Sequence, residues 1–466
     1  MAFIIKVISA VYGFLWNDLF TIPLPGGGTL GLPLLVLLLI PAGIYFTIRT
    51  KFLPIRKFPD MLKVSMEKGD KESKALSGWQ SLIVSTATRV GMGNLVGVVA
   101  AISAGGAGAV FWMWVTALIG SATAFIEGTM AQLHKEKDPL YGGWRGGPAQ
   151  YIHATVEKWR KKPIKKSVLA VLFAISGLIC WGGISQVIGN SVAESFKNSF
   201  NLDPLYTSMI VVVLAAIIVL RKNATVKVLD IMVPIMAGLY FCFTIFIMVK
   251  NIGQMPDVFG RIFSEAFGLR QVAAGGFGAV LMNGVKRGLF SNEAGSGSAP
   301  CAAAAAETDH PVKIGFLQAL GVIIDTIVIC TCTAMIMLLV PEGKLAGLQG
   351  MALLQTSMEH HLGMFGSVFV ALVMFLFCFS TFIGVLFYAR SNVAYLFGDN
   401  WTSQTIYKVF ALIMLFIGGL ATYTFVWDLG DVGIGLMTIV NLLVLIPGAK
   451  PALNALKEYE QKKKEK

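Results

Sequence analysis

Residues 85–97, Ser85-Thr86-Ala87-Thr88-Arg89-Val90-Gly91-Met92-Gly93-Asn94-Leu95-Val96-Gly97, decide how the rest of the chain is read. They lie inside an apolar segment, 77–104, long enough to cross a bilayer, yet they contain three glycines, an asparagine and an arginine. A lipid-facing helix holds none of these at its centre, because unpaired backbone groups and charges are costly there. Broken backbone at that depth is tolerated where it lines a cavity. Gly91 and Gly93 let the chain leave helical geometry and present amide N–H groups from one half-helix and carbonyls from the other. The N–H groups suit a carboxylate, and the carbonyls suit a cation.

Composition agrees with a membrane setting. The 466 residues are 55% hydrophobic and 14% charged, with a mean hydropathy of +0.71. These values describe an all-α polytopic membrane protein rather than a set of soluble domains. Eleven apolar segments are candidate spans, near 30–49, 77–104, 109–132, 167–190, 205–221, 230–250, 273–285, 313–340, 366–389, 404–421 and 425–447. The net charge of +12 does not form a nucleic-acid patch. When loops are assigned alternately to two sides, 31 of the 38 Lys and Arg fall on one, which the positive-inside rule makes cytoplasmic. The protein is therefore expected in the cell membrane, with its N-terminus outside and its C-terminus inside. Six cysteines lack metal-ligand spacing and read as packing residues. Residues 3–19 suit an interfacial helix.

Along the chain, 1–76 reads as an interfacial segment, an accessory span and a basic linker. The stretch 77–250 forms a first set of five helices. Glu127 lies near the inner end of 109–132, as a snorkelling or a functional carboxylate. Gly142-Gly-Trp-Arg-Gly-Gly-Pro148, continuing to Ile152, is too apolar for a solvated loop and too glycine-rich for a span, so it is expected to pack under the bundle as part of an inner gate. Helix 167–190 carries Trp181, Gln186 and Asn190. The last two are four residues apart and share an inward face, either joining helices or lining a polar cavity.

A second interruption, Ala273-Ala-Gly275-Gly276-Phe277-Gly278, follows about 185 residues after the first, at the corresponding place of a second half, 251–447. Two broken helices in oppositely oriented halves point to an inverted-repeat transporter with its site between the breaks. A competing break at Gly295-Ser296-Gly297 requires a longer helix with Lys286 and Arg287 in lipid, so the break at 275–278 is preferred. Asp325, in the middle of 313–340, is functional by default as cation ligand or proton site, unless Arg89 neutralises it. Cys378-Phe-Ser380-Thr381 sits at the centre of 366–389. The Lys-rich tail, 448–466, reads as a disordered cytoplasmic end, and Asp428 and Asp431 as solvated. None of the five histidines has the spacing of a catalytic or metal site, which argues against a membrane-embedded enzyme, and no repeated filter suggests a channel.

Gly91-Met92-Gly93-Asn94 and Gly276-Phe277-Gly278-Ala279 resemble the breaks of the first and sixth core helices of neurotransmitter:sodium symporters, which have the five-plus-five leucine-transporter fold. More specifically, Thr88-Arg-Val-Gly-Met-Gly-Asn94, Gly142-Gly-Trp-Arg-Gly-Gly-Pro148 and Lys286-Arg-Gly-Leu-Phe-Ser-Asn-Glu-Ala-Gly-Ser-Gly-Ser-Ala-Pro300 resemble the alanine or glycine:cation symporter family. The resemblance implies cotransport of alanine or glycine with sodium, or with protons as the alternative. It assigns the substrate carboxylate to the amides of Gly91, Gly93 and Asn94, the ammonium to carbonyls around Gly275 and Gly276, and the side-chain limit to Phe277 and Trp181. Sodium would take carbonyls of Ala87 and Val90 with the hydroxyls of Ser380 and Thr381. Arg89 departs from the small residue of the neurotransmitter family and argues against a second sodium beside it. No cofactor, transition metal or obligate protein partner is implied. The partners are the amino acid, sodium and membrane lipid.

Overall fold

The computed structural model describes residues 2–24, 28–67, 89–221, 225–268 and 276–465. Helices make up the described structure apart from two antiparallel hairpins, Asp18–Leu24 with Gly28–Pro33 and Glu136–Lys137 with Trp144–Arg145. Among the described residues six helices are long and apolar enough to cross a membrane: Gly108–Leu133, Val168–Phe200, Pro311–Leu338, Met364–Phe397, Trp401–Leu420 and Tyr423–Gly448. Shorter apolar helices include Leu34–Arg49, Gly93–Gly105 and Pro204–Val219. Ile235–Lys250 bends by 74° into Ile252–Ala266, whose Met255–Ala266 part is amphipathic. There the Glu265 carboxylate accepts from the N–H of Ala107 (2.6 Å) and Gly108 (3.3 Å), satisfying the start of Gly108–Leu133.

The long helices start where capping residues allow it. Ser167, Asp203 and Asn400 each accept a backbone N–H from the first turn that follows. In lipid, apolar surface alone does not bring helices together, and small residues at the seam do so by close contact. Val168–Phe200 packs on Trp401–Leu420 and Tyr423–Gly448 in this way. A Cβ on Gly418 would sit 2.2 Å from the Gln186 carbonyl oxygen, and one on Gly433 would sit 2.3 Å from the Cys180 Cα. Apolar residues that miss such seams, among them Ile210, Val213 and Ile217, remain exposed on the outer face.

The second interruption lies later than preferred from the sequence. Helix Gly276–Asn292 runs through Phe277, Gly278, Lys286 and Arg287 without a break, and the chain leaves helical geometry at 293–298, the position of the competing reading. Gly275 lies outside the described residues. The two cations do not mark a helix end in water, because Asp431 pairs with both inside the protein. Arg287 donates to both Asp431 carboxylate oxygens at 3.0 Å, and Lys286 Nζ lies 2.5 Å from Oδ2. Lys286 also donates to the Tyr12 hydroxyl (2.7 Å), and the Arg287 guanidinium lies 4.1 Å over the Trp427 ring. Asp431 is therefore buried rather than solvated, at 1% exposure.

Both ends of the chain pack against the body of the protein. Helix Ala2–Trp16 packs on the bundle, burying Leu15 and Trp16, and the Trp16 indole donates to the Asp431 backbone carbonyl (3.1 Å). The tail forms helix Lys450–Lys464 instead of a disordered end, with Ala452, Leu453, Ala455 and Leu456 buried. It docks on the short helices Leu53–Arg56 and Phe58–Ser65 of the basic linker through Arg56–Glu460 (2.6 Å) and through Lys463 to Asp60.

Asp431→Asn leaves two buried cations unpaired, a loss of about 3–5 kcal/mol, so the detergent-solubilised variant melts well below the parent. Burial alone would raise the Asp60 carboxyl, but hydrogen bonds from Lys463 and Lys57 outweigh it and hold it below its ordinary value. The docked tail is therefore stabilised at neutral pH and loosens as pH falls from about 4. Amide exchange of 450–464 rises over that window in the parent, whereas in Asp60→Asn it is already fast at pH 7.

Candidate functional site

The first break is held by side chains from three other parts of the chain. The Gly91 N–H donates to Asn94 Oδ1 (2.9 Å), closing the turn on itself. The Met92 N–H donates to Thr381 Oγ1 (3.0 Å) on helix Met364–Phe397. Residues 93–97 then form a π-helical turn before the α-helix resumes at Val98. A second π-helical stretch, Ile323–Cys330, interrupts the Pro311–Leu338 helix and carries Asp325. Such wide turns are uncommon and concentrate at functional sites.

Asp325 is the hub between these elements. Its Oδ1 accepts from Asn94 Nδ2 at 2.6 Å, and its Oδ2 accepts from Ser291 Oγ (2.8 Å) and Thr326 Oγ1 (2.9 Å). Asn94 Nδ2 also reaches Ser291 Oγ (3.2 Å), and Cys330 Sγ lies 3.1 Å from Ser291 Oγ. Asn94, Asp325 and Thr326 have no exposed surface. Ser291 stands two residues before the second break, so one carboxylate joins the two interruptions.

The second break has its own carboxylate. Glu293, Gly295 and Gly297 take positive φ values of 57°, 92° and 83°. Glu127 Oε2 accepts the Gly295 N–H (3.0 Å), while Asn441 Nδ2 donates to Glu127 Oε1 (2.6 Å) and to the Gly295 carbonyl (3.0 Å). Glu127 thus faces the interior and does not snorkel. Tyr388 donates to Glu293 Oε2 (3.0 Å), and its ring lies 5.9 Å from that of Trp181. The glycine-rich 142–152 stretch packs against the segment after this break: a Cβ on Gly147 would sit 2.7 Å from Cys301 Sγ, and Tyr151 donates to Asn441 Oδ1 (2.5 Å).

The sequence-derived candidates divide accordingly. Gly91, Met92, Gly93, Asn94, Asp325 and Thr381 come together, with Gly93 facing Ser291. Ser380 donates to the Phe377 carbonyl of its own helix (2.9 Å). Val90 is buried beside the turn, and Ala87 lies outside the described residues. Phe277 does not cover the first break, since its ring packs 6.0 Å from that of Trp112 near the start of its helix. Gln186 and Asn190 lie in the seam with Trp401–Leu420, donating to Met414 Sδ (3.1 Å) and the Ala421 carbonyl (2.9 Å). Arg89 makes no ion pair with Asp325. Its Nη1 donates to the Gln318 carbonyl (2.9 Å), and its buried Nε and Nη2 have no hydrogen-bond partner among the described residues. Ser291, Glu293, Tyr388 and Asn441 were not singled out from the sequence; an asparagine within the apolar 425–447 stretch was the available signal.

Residues 26–466 match the profile of the sodium:alanine symporter family. The chain is 42% identical to the probable sodium/glutamine symporter GlnT of Bacillus subtilis over 92% of its length and 88% of that protein. It is 37% identical to the amino-acid carrier protein AlsT of Bacillus subtilis over 100% and 94% of the two chains. With the sodium/alanine symporter AgcS of Methanococcus maripaludis it shares 33% identity over 98% and 99%. A manganese transporter from Eremococcus coleocola has a similar fold, with a TM-score of 0.51 at 10% identity over 85% of this chain and 79% of that one.

A Cβ on Gly91 would lie 2.2 Å from Thr381 Oγ1 and push that hydroxyl off the Met92 amide, whereas Gly238 has nothing within 4 Å. Gly91→Ala therefore lowers transport about tenfold or more, the scale of an overpacked contact, while Gly238→Ala transports as the parent does. Initial uptake rates at matched protein levels distinguish the two.

Proposed function

The chain belongs to the sodium:alanine symporter family, and from that membership we propose that it is a sodium-coupled secondary active symporter importing small neutral amino acids, alanine and glycine, by alternating access. The architecture proposed with it is a membrane protein of eleven spans, an accessory first helix followed by five-plus-five inverted repeats over 77–250 and 251–447. The N-terminus lies outside the cell membrane and the C-terminus inside. The charge bias supports that orientation: with Lys286 and Arg287 buried, 29 (31 less 2) of the Lys and Arg still fall on one side.

The observation that carries the reading is the Thr381–Met92 hydrogen bond, which ties the broken first helix to helix Met364–Phe397. In this proposal the amides of Gly91, Gly93 and Asn94 receive the substrate carboxylate. Sodium takes the Val90 and Ala87 carbonyls with the Thr381 and Ser380 hydroxyls. An ion bridging those two helices steadies the break, so that substrate meets a preformed turn, and each ligand favours the other by the same coupling free energy. Inward movement of one positive charge draws on the membrane potential at about 2.3 kcal/mol per 100 mV.

Asp325 supports a second reading, proton coupling, because a single proton on it would alter the bonds to Asn94 and Ser291 together. The relative named as a sodium/glutamine symporter makes glutamine a necessary competitor in the assay.

Uptake of labelled alanine into proteoliposomes under an inward sodium or an inward proton gradient decides between these. Sodium-driven accumulation, blocked by glycine and not by leucine, is expected. Thr381→Ala raises the sodium concentration for half-maximal uptake about tenfold, the value of one lost ligand of roughly 1.4 kcal/mol, and leaves the melting temperature near the parent's. Unchanged sodium dependence in that variant removes the ion assignment, accumulation driven by protons alone moves coupling to Asp325, and preferential block by glutamine replaces alanine as the substrate.

A further inference from the structure

A cavity of about 530 Å³ opens where the end of helix Leu34–Arg49 and the following turn meet the start of helix Lys450–Lys464. Arg49, Lys51, Arg56, Lys450 and Lys457 line it, with Glu460 the acidic residue among the lining groups. Five cations against one carboxylate give the cavity a formal charge of +4. Arg56 is fully employed: it donates to Glu460 (2.6 Å) and to the Lys51 and Thr50 carbonyls. Arg49 donates to the Tyr45 hydroxyl (2.6 Å). The side-chain ammonium groups of Lys51, Lys450 and Lys457 have no hydrogen-bond or ion-pair partner among the described residues, and all three residues are exposed. Like charges gathered without a counter-charge repel one another, and an anion between them removes that repulsion.

The surroundings say where the anion comes from. Ile44 and Ile48 on the same helix are exposed, as are Phe52 and Ile55 just beyond it, Ile55 at 75%. Lys51 and Phe52 both adopt left-handed backbone, with φ of 55°, which non-glycine residues rarely do outside functional or strained positions. Basic groups beside exposed apolar ones mark a surface at the headgroup level of a bilayer. A free anion would leave those apolar side chains uncovered, whereas the acyl chains of a lipid cover them.

We propose that this cavity binds the phosphate of an anionic phospholipid headgroup, with Lys51, Lys450 and Lys457 as its ligands and the exposed Ile48, Phe52 and Ile55 against the acyl chains. The bound lipid clamps the accessory first span to the tail helix, and it lies apart from both helix breaks. This assignment does not depend on which amino acid or ion is transported.

The test uses the full chain in mild detergent, with phosphatidylglycerol, phosphatidylcholine or inorganic phosphate added at equal concentration. Lipid adducts are counted by native mass spectrometry, and unfolding is followed by thermal melting. The parent is expected to retain phosphatidylglycerol selectively and to melt higher with it. The triple variant Lys51→Gln, Lys450→Gln, Lys457→Gln loses about a hundredfold in affinity, from roughly 1 kcal/mol per lysine at an anionic surface. A control with the same charge loss, Lys161→Gln, Lys162→Gln, Lys165→Gln, binds as the parent does. Equal retention by parent and first variant, or equal loss in the control, overturns the site. Stabilisation by inorganic phosphate to the same extent as by phosphatidylglycerol overturns the lipid assignment. Parent-like melting of the first variant without lipid separates lost binding from misfolding.

Discussion

Backbone polar groups at membrane depth must find partners inside the protein. The two helix breaks meet that constraint in parallel ways. At the first, Asn94 and Thr381 take the freed amides of Gly91 and Met92, and Asp325 holds Asn94 in place. At the second, Glu127 takes the Gly295 amide, and Asn441 binds both the carboxylate and the Gly295 carbonyl. Each irregular turn is thus closed by an asparagine and a buried carboxylate brought from another helix. These carboxylates cost much to bury and are tolerated because each accepts several hydrogen bonds.

That arrangement also explains which parts of the molecule were legible in the sequence. The first break was readable because its cause is local: Gly91, Gly93 and Asn94 lie within four residues and disturb an apolar run that is otherwise long enough to span. Asp325 was readable for the same reason, as a lone carboxylate in an apolar helix. The second break was displaced because Lys286 and Arg287 argue against a continued helix unless something neutralises them. Their partner, Asp431, stands 144 residues beyond Arg287 and looks like one of a pair of solvated residues at a helix start. The order of the tail has a similar long-range cause. Its lysines and glutamates suit a disordered end until Asp60, Arg56 and a buried apolar stripe are placed against them.

Phe277 shows how a short motif can mislead. Gly276-Phe277-Gly278 has the look of a break, and Gly276 does start its helix at a φ of 62°. Yet Gly278 continues that helix, and the aromatic ring packs on Trp112 at its start. Glycine marks both broken backbone and close helix contact, and the sequence around one glycine does not distinguish them. Gly284 and Gly288 on the same helix are close-contact positions, where a Cβ would meet Trp112 Cβ and Thr116 Oγ1 at 2.4 Å.

Arg89 follows from this division of labour. Its charge reaches Glu127, Glu293 and Asp325, so it influences the carboxylates of both breaks, but none of the three takes it in a direct pair. A committed Arg89–Asp325 salt bridge would have fixed the first break against the Pro311–Leu338 helix at a high cost to separate. Hydrogen bonds from the neutral donors Asn94, Ser291 and Thr326 share the hold on the same carboxylate instead. A junction built from several moderate bonds can exchange partners one at a time as helices shift. The Arg89 guanidinium, which has no ion-pair partner among the described residues, partly offsets the burial of these carboxylates. Asp325, which accepts from Asn94 in the first break and from Ser291 beside the second, thus joins the two breaks through several hydrogen bonds rather than through one ion pair.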